Sequence, residues 1–132
     1  MSQISLLRPE GLVRSPAFSH VAVVPPGATT IYVGGQNAVT ADGTLVGGDD
    51  IVAQTEQVMA NLQVALAAAG ATVHDLVSVT VLLVEGVDLN QAYPVAAAAL
   101  AGATPLVTAA RVAGLGVPGA LIEVSAIAAV SR

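Results

Sequence analysis

The sequence contains no cysteine and no lysine, and each absence excludes a class of chemistry. Without cysteine there is no disulfide, no thiol nucleophile and no thiolate metal site. Without lysine no side chain can form a Schiff base, which excludes covalent attachment of pyridoxal phosphate. The four cations are all arginines and stand against nine acidic residues, which gives a formal charge of −5. Such a chain repels a phosphate backbone, so we expect no nucleic-acid partner.

Aromatic residues are also scarce: Phe18, Tyr32 and Tyr93 are the only three, although 55% of the chain is hydrophobic. The core must therefore be built from Ala, Val, Leu and Ile, and some of the apolar surface is available for contact with another subunit. The length predicts one domain over residues 1–132. The first residues lack a basic segment followed by an apolar one, so we expect a cytoplasmic protein without a secretory signal.

A long uncharged segment, residues 89–110, raises the question of a membrane span. Two prolines and a glycine interrupt it, and alanine dominates it, whereas spanning helices are rich in Leu, Ile, Phe and Val. We therefore predict no membrane-spanning helix.

The pattern of apolar residues predicts an α+β fold with the order β-β-α-β-α-β-β. The clearest element is a helix from Ile51 to Ala69, which Asp49 or Asp50 caps and Gly70 ends. The first two strands, separated by a Pro-Pro-Gly turn, are predicted to form a hairpin. Pro94 predicts a kink or a late start in the second helix. The other predicted elements are strands at Phe18–Val24, Thr29–Val33, Val77–Val84, Leu106–Val112 and Leu121–Val130, and a helix at Asp88–Ala101.

Two patterns that suggest cofactor or metal chemistry fail on inspection. The loop 114–119 has the glycine spacing of a dinucleotide-binding motif, but a β-branched strand follows it where that site needs a helix. We interpret the loop as a turn and predict no cofactor. His20 and His74 show no metal-binding spacing, so we predict no metal site. Ser19 and His20 are neighbours on a predicted strand and point to opposite faces, which excludes a nucleophile–base pair.

Glu123 is the one charged residue inside an otherwise apolar strand. Alternation places it on the face opposite Ile122 and Val124. The carboxylate is either solvated, or it is a partly buried acid–base group that faces a pocket. On the second helix, Asn90 and Tyr93 are three residues apart and therefore lie on one side, where each fits a structural role as well as a binding role.

Five segments between about Arg14 and Val130 form a recognisable set through their order and spacing. They are SPAFSHVAVV, IYVGGQ, the helix QTEQVMANLQVALAAAGA, NQAY and GLGVPGALIEVSAIA. Together they resemble the RidA/YjgF family, also labelled endoribonuclease L-PSP, whose better-known members are enamine/imine deaminases. The resemblance implies a chorismate-mutase-like sheet backed by two helices. It also implies a homotrimer that binds a small-molecule ligand in clefts between its subunits.

The residues of the family's site match this sequence only in part. Glu123 corresponds to the glutamate that acts on the water or the substrate nitrogen, and Asn90 corresponds to an asparagine of the cleft. Gly35 corresponds to the glycine of the family's Ser-Gly-Gln, while Gly34 replaces its serine. Phe18 replaces a tyrosine, which keeps the ring and loses the hydroxyl. The resemblance thus implies one catalytic residue, Glu123, among several substrate-binding ones.

Val107 stands where the deaminases carry an arginine that binds the substrate carboxylate. Val107 and Ala109 share one face of their strand, and we expect both to line the cleft. A bidentate guanidinium–carboxylate pair is difficult to replace, because both its geometry and its charge matter. Arg111 shares that face but lies about 13 Å along the strand, too far for a simple replacement. Arg14 is either an alternative cation or a solvated arginine.

Two functional hypotheses remain open at this point. The first is hydrolysis of an enamine or imine other than a simple 2-imino acid, with Glu123 orienting a water or transferring a proton. The second is a non-catalytic trimer that binds or senses a metabolite in the same cleft. The ribonuclease activity in the family's label fits poorly with an acidic chain that has no lysine.

Overall fold

The structure is a computed structural model that describes residues 4–131. Six strands and two α-helices follow one another over these residues, with a short 3₁₀ helix before the fourth strand. The elements are β1 (Ser5–Leu7), β2 (Val21–Val23), β3 (Thr29–Gln36), α1 (Ile51–Ala68), the 3₁₀ helix (Val73–Asp75), β4 (Leu76–Val84), α2 (Leu89–Leu100), β5 (Leu106–Val112) and β6 (Ile122–Val130).

Four of the strands form one sheet in the order β3-β6-β4-β5. β6 lies between β3 and β4 and is antiparallel to both, whereas β4 and β5 are parallel. Parallel neighbours need a crossover connection, and α2 provides it. The fold is therefore the predicted α+β arrangement, two helices packed on a mixed sheet.

The predicted hairpin between the strands at Phe18–Val24 and Thr29–Val33 is wrong. β2 pairs with β1, a three-residue strand too short to show a sequence pattern, in a separate two-stranded sheet. β3 pairs with β6, from Thr29 opposite Val130 to Gln36 opposite Val124. This pairing places the apolar side of β3 in the main core, and a two-stranded ribbon with β2 would bury far less.

The first helix has nearly the limits that the sequence predicts. The Asp50 side chain accepts hydrogen bonds from the N–H groups of Val52 and Ala53 at 2.9 and 3.2 Å, which identifies it as the cap. Gly70, just beyond the last turn, has the left-handed φ of +75°. One face of the helix is buried, comprising Ile51, Gln54, Thr55, Val58, Met59, Leu62 and Leu66.

The second helix begins at Leu89, because the Asp88 side chain accepts a hydrogen bond from the N–H of Asn90 at 2.9 Å. The helix continues through Pro94, so the late start considered above does not occur. The carbonyl that loses its donor at this proline belongs to Asn90, which is exposed and can bond to water. The uncharged segment 89–110 is thus divided between α2 and β5, and no helix within residues 4–131 is both long and apolar enough to cross a bilayer.

The core lies between the helices and the sheet and consists of aliphatic side chains. None of the buried residues of its main cluster is aromatic. α1 contributes Val58, Leu62 and Leu66, which are fully buried. They pack with the alternate residues of β6 that face the helices, such as Val124. The prediction of a core built from small and branched aliphatic residues is therefore confirmed.

One buried amide connects α1 with the start of β6. Gln54 is fully buried, and its Nε2 donates to the carbonyl oxygens of Gly48 and Gly119 at 2.6 and 3.1 Å. Its Oε1 accepts from the N–H of Leu121, the residue before β6, at 2.8 Å. Three backbone groups thus depend on one side chain, since buried polar groups that lose their partners are costly.

We predict that Gln54→Leu lowers the free energy of unfolding by about 2–4 kcal/mol, because it leaves buried carbonyl and N–H groups without partners. Urea denaturation measures this change. The control is Gln63→Leu on the same helix, an exposed residue with one bond of 3.3 Å to the carbonyl of Ala99. The control should change stability by less than about 0.5 kcal/mol. Equal losses in the two variants would contradict the role assigned to Gln54.

Candidate functional site

The strand β6 presents different side chains to the two sides of the sheet. Ile122 and Val124 are buried beneath the helices, on what we call the helix face. Glu123 and Ser125 lie on the opposite side, the open face, and are only partly buried. Glu123 is paired with Leu82 of β4, whose side chain shares this face. The predicted alternation is confirmed, and the carboxylate points away from the core.

Glu123 lies directly against the backbone of Gly35. A Cβ atom at position 35 would be 2.7 Å from both Cδ and Oε2 of Glu123, closer than atoms can approach. The pairing of β3 with β6 is irregular between Val33 and Gln36, as in a β-bulge, and the two glycines lie within this irregularity. Gly34 has open space at its own Cβ position. Gly35 therefore makes room for the carboxylate, and Gly34 does not.

The segment after β3 is held in place from both sides. Asn37 Nδ2 donates to the carbonyl oxygen of Ile122 at 3.3 Å, which joins it to β6. From α1, Asn61 Nδ2 donates to the carbonyl oxygens of Asn37 and Val39, each at 2.9 Å. These bonds fix the glycine segment relative to Glu123, so the approach of the carboxylate to Gly35 is part of the fold.

A cavity of about 400 Å³ lies on the other side of the sheet, between α2 and the edge formed by β5. Its lining includes Phe18, Tyr93, Val107 and Ala109, and no charged side chain of residues 4–131 belongs to it. The volume is within the range of about 300–1,000 Å³ that is usual for small-molecule sites. We call this cavity the apolar pocket. Its complete lining is Pro16, Ala17, Phe18, Met59, Val79, Val81, Leu83, Leu89, Ala92, Tyr93, Ala96, Ala97, Leu100, Gly102, Ala103, Thr104, Val107, Ala109, Ile122 and Val124.

The structure divides the site residues expected from the sequence between these two places. Phe18, Val107 and Ala109 line the apolar pocket. Gly35 and Glu123 lie together on the open face, and the sheet separates the two groups. The other binding candidates, Gly34, Asn90 and Arg14, do not line the pocket, although Tyr93, one turn after Asn90, does.

Three arginines lie within residues 4–131, and none of them belongs to the lining of the pocket. Arg14 is exposed, and Arg111 Nη1 donates to the carbonyl oxygen of Val87 at 3.0 Å. Arg8, which is not among the site residues expected from the sequence, donates from Nε to the carbonyl oxygen of Phe18 at 3.1 Å. Only the pairing of β1 with β2 brings Arg8 to Phe18, so no local pattern could have revealed this contact.

Residues 18–20 precede β2, so the prediction that they lie on a strand is wrong. The ring of His20 packs edge-on against Phe18 with centroids 5.4 Å apart, and its Nε2 is 2.6 Å from the carbonyl oxygen of Val13. Ser19 is buried, and within residues 4–131 its hydroxyl has no hydrogen-bond partner. Its N–H donates to the carbonyl oxygen of Pro105 at 3.3 Å, which connects this segment to the start of β5.

Neither a metal site nor a nucleotide site emerges from the described residues. Within residues 4–131 no group of three or more His, Cys, Asp or Glu side chains is arranged to hold a metal ion. The glycine-containing loop 114–119 is followed by β6 and not by a helix, in agreement with its interpretation as a turn. The described residues thus present a carboxylate on one face of the sheet and an apolar pocket on the other.

A mixed sheet with two helices on one face, a carboxylate on the other and an apolar pocket beneath α2 defines a small α+β protein whose cavity has the size of a small-molecule site. The family model described as Endoribonuclease L-PSP matches residues 13–130. The chain belongs to this family, the RidA/YjgF proteins.

Solved structures agree with this assignment. The Rid-family protein YyfB from Yersinia pestis, described as of unknown function, is 34% identical with a TM-score of 0.85, over 96% of this chain and 98% of that one. RidA from the Antarctic bacterium Psychrobacter sp. is 26% identical with a TM-score of 0.68, over 89% and 98%. A YjgF-family protein from Mycobacterium tuberculosis is 26% identical with a TM-score of 0.65, over 97% and 100%. No curated protein matches the chain.

We predict that Gly35→Ala displaces the Glu123 carboxylate, because the added methyl group occupies its position. The free energy of unfolding should change by less than about 1 kcal/mol, since the flexible end of Glu123 can move towards solvent. Crystal structures of the variants measure the displacement. Gly34→Ala is the matched control, because nothing lies within 4 Å of its Cβ position. An unmoved carboxylate in Gly35→Ala would contradict the close contact described here.

Proposed function

We propose that the protein hydrolyses an enamine or imine to a carbonyl compound and ammonia, with Glu123 as the acid–base group. The observation that supports this most is the partly buried carboxylate held against Gly35 on the open face. It is the only acidic side chain inside a strand of the main sheet among residues 4–131, and the absence of a side chain at Gly35 leaves space for it. A carboxylate is one of the groups that act as general acids and bases.

The chemistry requires one water and two proton relays through the same carboxylate. In the first, Glu123 accepts a proton from water as the oxygen adds to the imine carbon and passes it to the nitrogen, which gives the amino alcohol R₂C(OH)NH₂. In the second, Glu123 accepts the hydroxyl proton and passes it to the nitrogen as the carbon–nitrogen bond breaks, which releases ammonia and the carbonyl compound. The overall balance is R₂C=NH plus H₂O to R₂C=O plus NH₃, so no oxidant, metal or cofactor is needed.

We further propose that the cleft forms between copies of the chain, in a homotrimer. The apolar pocket and Glu123 lie on opposite faces of one sheet, so a single chain cannot present both to one ligand. A second copy can, if its open face covers the pocket of the first. The surface supports such contact: β5 is an edge strand with residues 107–111 exposed, and Tyr32 on the open face is 78% exposed. Uncovered edges and apolar side chains of this kind usually mark an interface.

The second candidate is a ligand-binding trimer without turnover. The observation that favours it is Val107 in the pocket, where no described side chain can hold a carboxylate. A binding protein of this kind would raise its melting temperature with a metabolite and release no ammonia.

We predict that Glu123→Gln lowers the rate of imine hydrolysis by about 100-fold or more, the usual contribution of a general acid–base group. An amine or amino-acid oxidase generates the imines in situ. The measured quantity is the rate of ammonia release relative to that of spontaneous hydrolysis. Glu85→Gln is the control, because it makes the same change at an exposed turn residue. Unchanged turnover in Glu123→Gln would remove this residue from the mechanism, and no acceleration by the wild type would favour the binding candidate.

We predict that two inactive variants restore activity when they are refolded together. Glu123→Gln lacks the carboxylate, and Ala109→Phe fills the apolar pocket, so each homotrimer should be inactive. After equal random mixing, one cleft in each mixed trimer, or about a quarter of all clefts, combines an intact pocket with an intact carboxylate from the neighbouring copy. The measurement is ammonia release before and after joint refolding, with sedimentation to establish the trimer. No recovery would indicate that one chain supplies the whole site.

A further inference from the structure

Among residues 4–131, no side chain that lines the apolar pocket could neutralise an anion. Its polar side-chain atoms are confined to two hydroxyls, those of Tyr93 and Thr104. The remaining lining is aliphatic except for Phe18 and the thioether of Met59. A carboxylate placed here would lose its hydration without gaining a cation, which is strongly unfavourable.

The arginines of the described chain have other positions. Arg111 is on the same face of β5 as Val107 but is four residues along the strand, and its Nη1 donates to the carbonyl oxygen of Val87 at 3.0 Å. Arg8 donates to the backbone of Phe18, and Arg14 is exposed. None of the three belongs to the lining of the pocket.

From this we infer that the pocket takes a neutral, apolar ligand, and that the substrate of the proposed reaction is an imine without a carboxylate. The statement about the substrate rests on the proposed function. The preference of the pocket for a neutral ligand does not depend on it. The Tyr93 ring is 53% exposed and Val107 is 41% exposed, so both lie where a ligand would enter. The Tyr93 and Thr104 hydroxyls can each form one hydrogen bond to a neutral carbonyl or imine nitrogen.

The pocket also limits the size and shape of the ligand. About 400 Å³ accommodates an aryl or branched alkyl group with a short functional arm. The Phe18 ring, held edge-on by His20, and the Met59 side chain, which is 3% exposed, provide apolar surfaces for a flat group. The reaction that supplies such an imine is the two-electron oxidation of a primary amine, whereas oxidation of an amino acid yields an imine that keeps its carboxylate.

The test compares two ketones that differ only in charge at one end. Phenylacetone carries a methyl group where phenylpyruvate carries a carboxylate, and isothermal titration of the wild-type protein measures both affinities without any turnover. We expect phenylacetone to bind at least tenfold more tightly. Equal affinities, tighter binding of phenylpyruvate, or no binding of either ketone at millimolar concentration would overturn the inference. Tighter binding of phenylpyruvate would indicate a cation supplied by a neighbouring copy.

A variant pair places the preference at the pocket. Val107→Arg should raise the affinity for phenylpyruvate at least tenfold and lower that for phenylacetone. Val64→Arg, on the exposed face of α1 with a side chain 71% exposed, adds the same charge away from the pocket and should change neither affinity by more than twofold. Equal effects of the two variants would show that net charge, and not the pocket, determines the preference. The wild-type comparison remains decisive if Val107→Arg does not fold.

A matched pair of imines separates this inference from the proposed reaction. A flavin amine oxidase acting on phenethylamine and an amino-acid oxidase acting on phenylalanine give imines that differ only in the carboxylate. Acceleration of the first by at least tenfold over the second supports both proposals. Acceleration of the second alone keeps the reaction and overturns the inference. If neither is accelerated while phenylacetone binds, the reaction is wrong and the preference for a neutral ligand stands.

Discussion

The hydrogen bonds of Gln54 determine where β6 begins, and the position of β6 determines the geometry of the site. By accepting the N–H of Leu121, this buried amide sets the residue at which the chain enters the sheet. A shift of one residue would exchange the two faces of β6, sending Glu123 into the core and Val124 to the open face. The role proposed for Glu123 therefore depends on an interaction inside the opposite layer of the molecule, between α1 and the loop before β6.

The elements that could be predicted from the sequence are those with strong local patterns. A helix cap and an apolar stripe predict α1, and runs rich in β-branched residues predict β4, β5 and β6. The face of the sheet on which Glu123 lies could also be predicted, because strand alternation alone separates it from its apolar neighbours Ile122 and Val124. What escaped prediction depends on contacts between distant segments. The pairing of β1 with β2, the bond of Arg8 to Phe18 and the contact of Gly35 with Glu123 have no signature within a short window.

The family assignment and the pocket carry different information about function. Membership of the RidA/YjgF family follows from nearly the whole chain, and it supports a role with small molecules. The chemistry of an individual member depends on a few side chains grafted on that fold. Here the carboxylate of Glu123 lies on one face of the sheet, and Val107 and Ala109 line a pocket on the other face in which no side chain of residues 4–131 is charged. In the function proposed here, the scaffold keeps the reaction type and changes the class of molecule on which it acts.

The central position of β6 has a consequence for how the chain reaches its native state. Within residues 4–131, β3 pairs in the main sheet with β6 alone, and its first pair joins Thr29 to Val130. During synthesis, β3 and one edge of β4 therefore remain unpaired until β6 has left the ribosome. Contacts between residues so far apart in the chain slow folding, and unpaired strand edges favour aggregation while they persist. The cap and the apolar stripe of α1 depend only on residues close in sequence, so α1 can form early. It would then shield part of this exposed surface until β6 pairs.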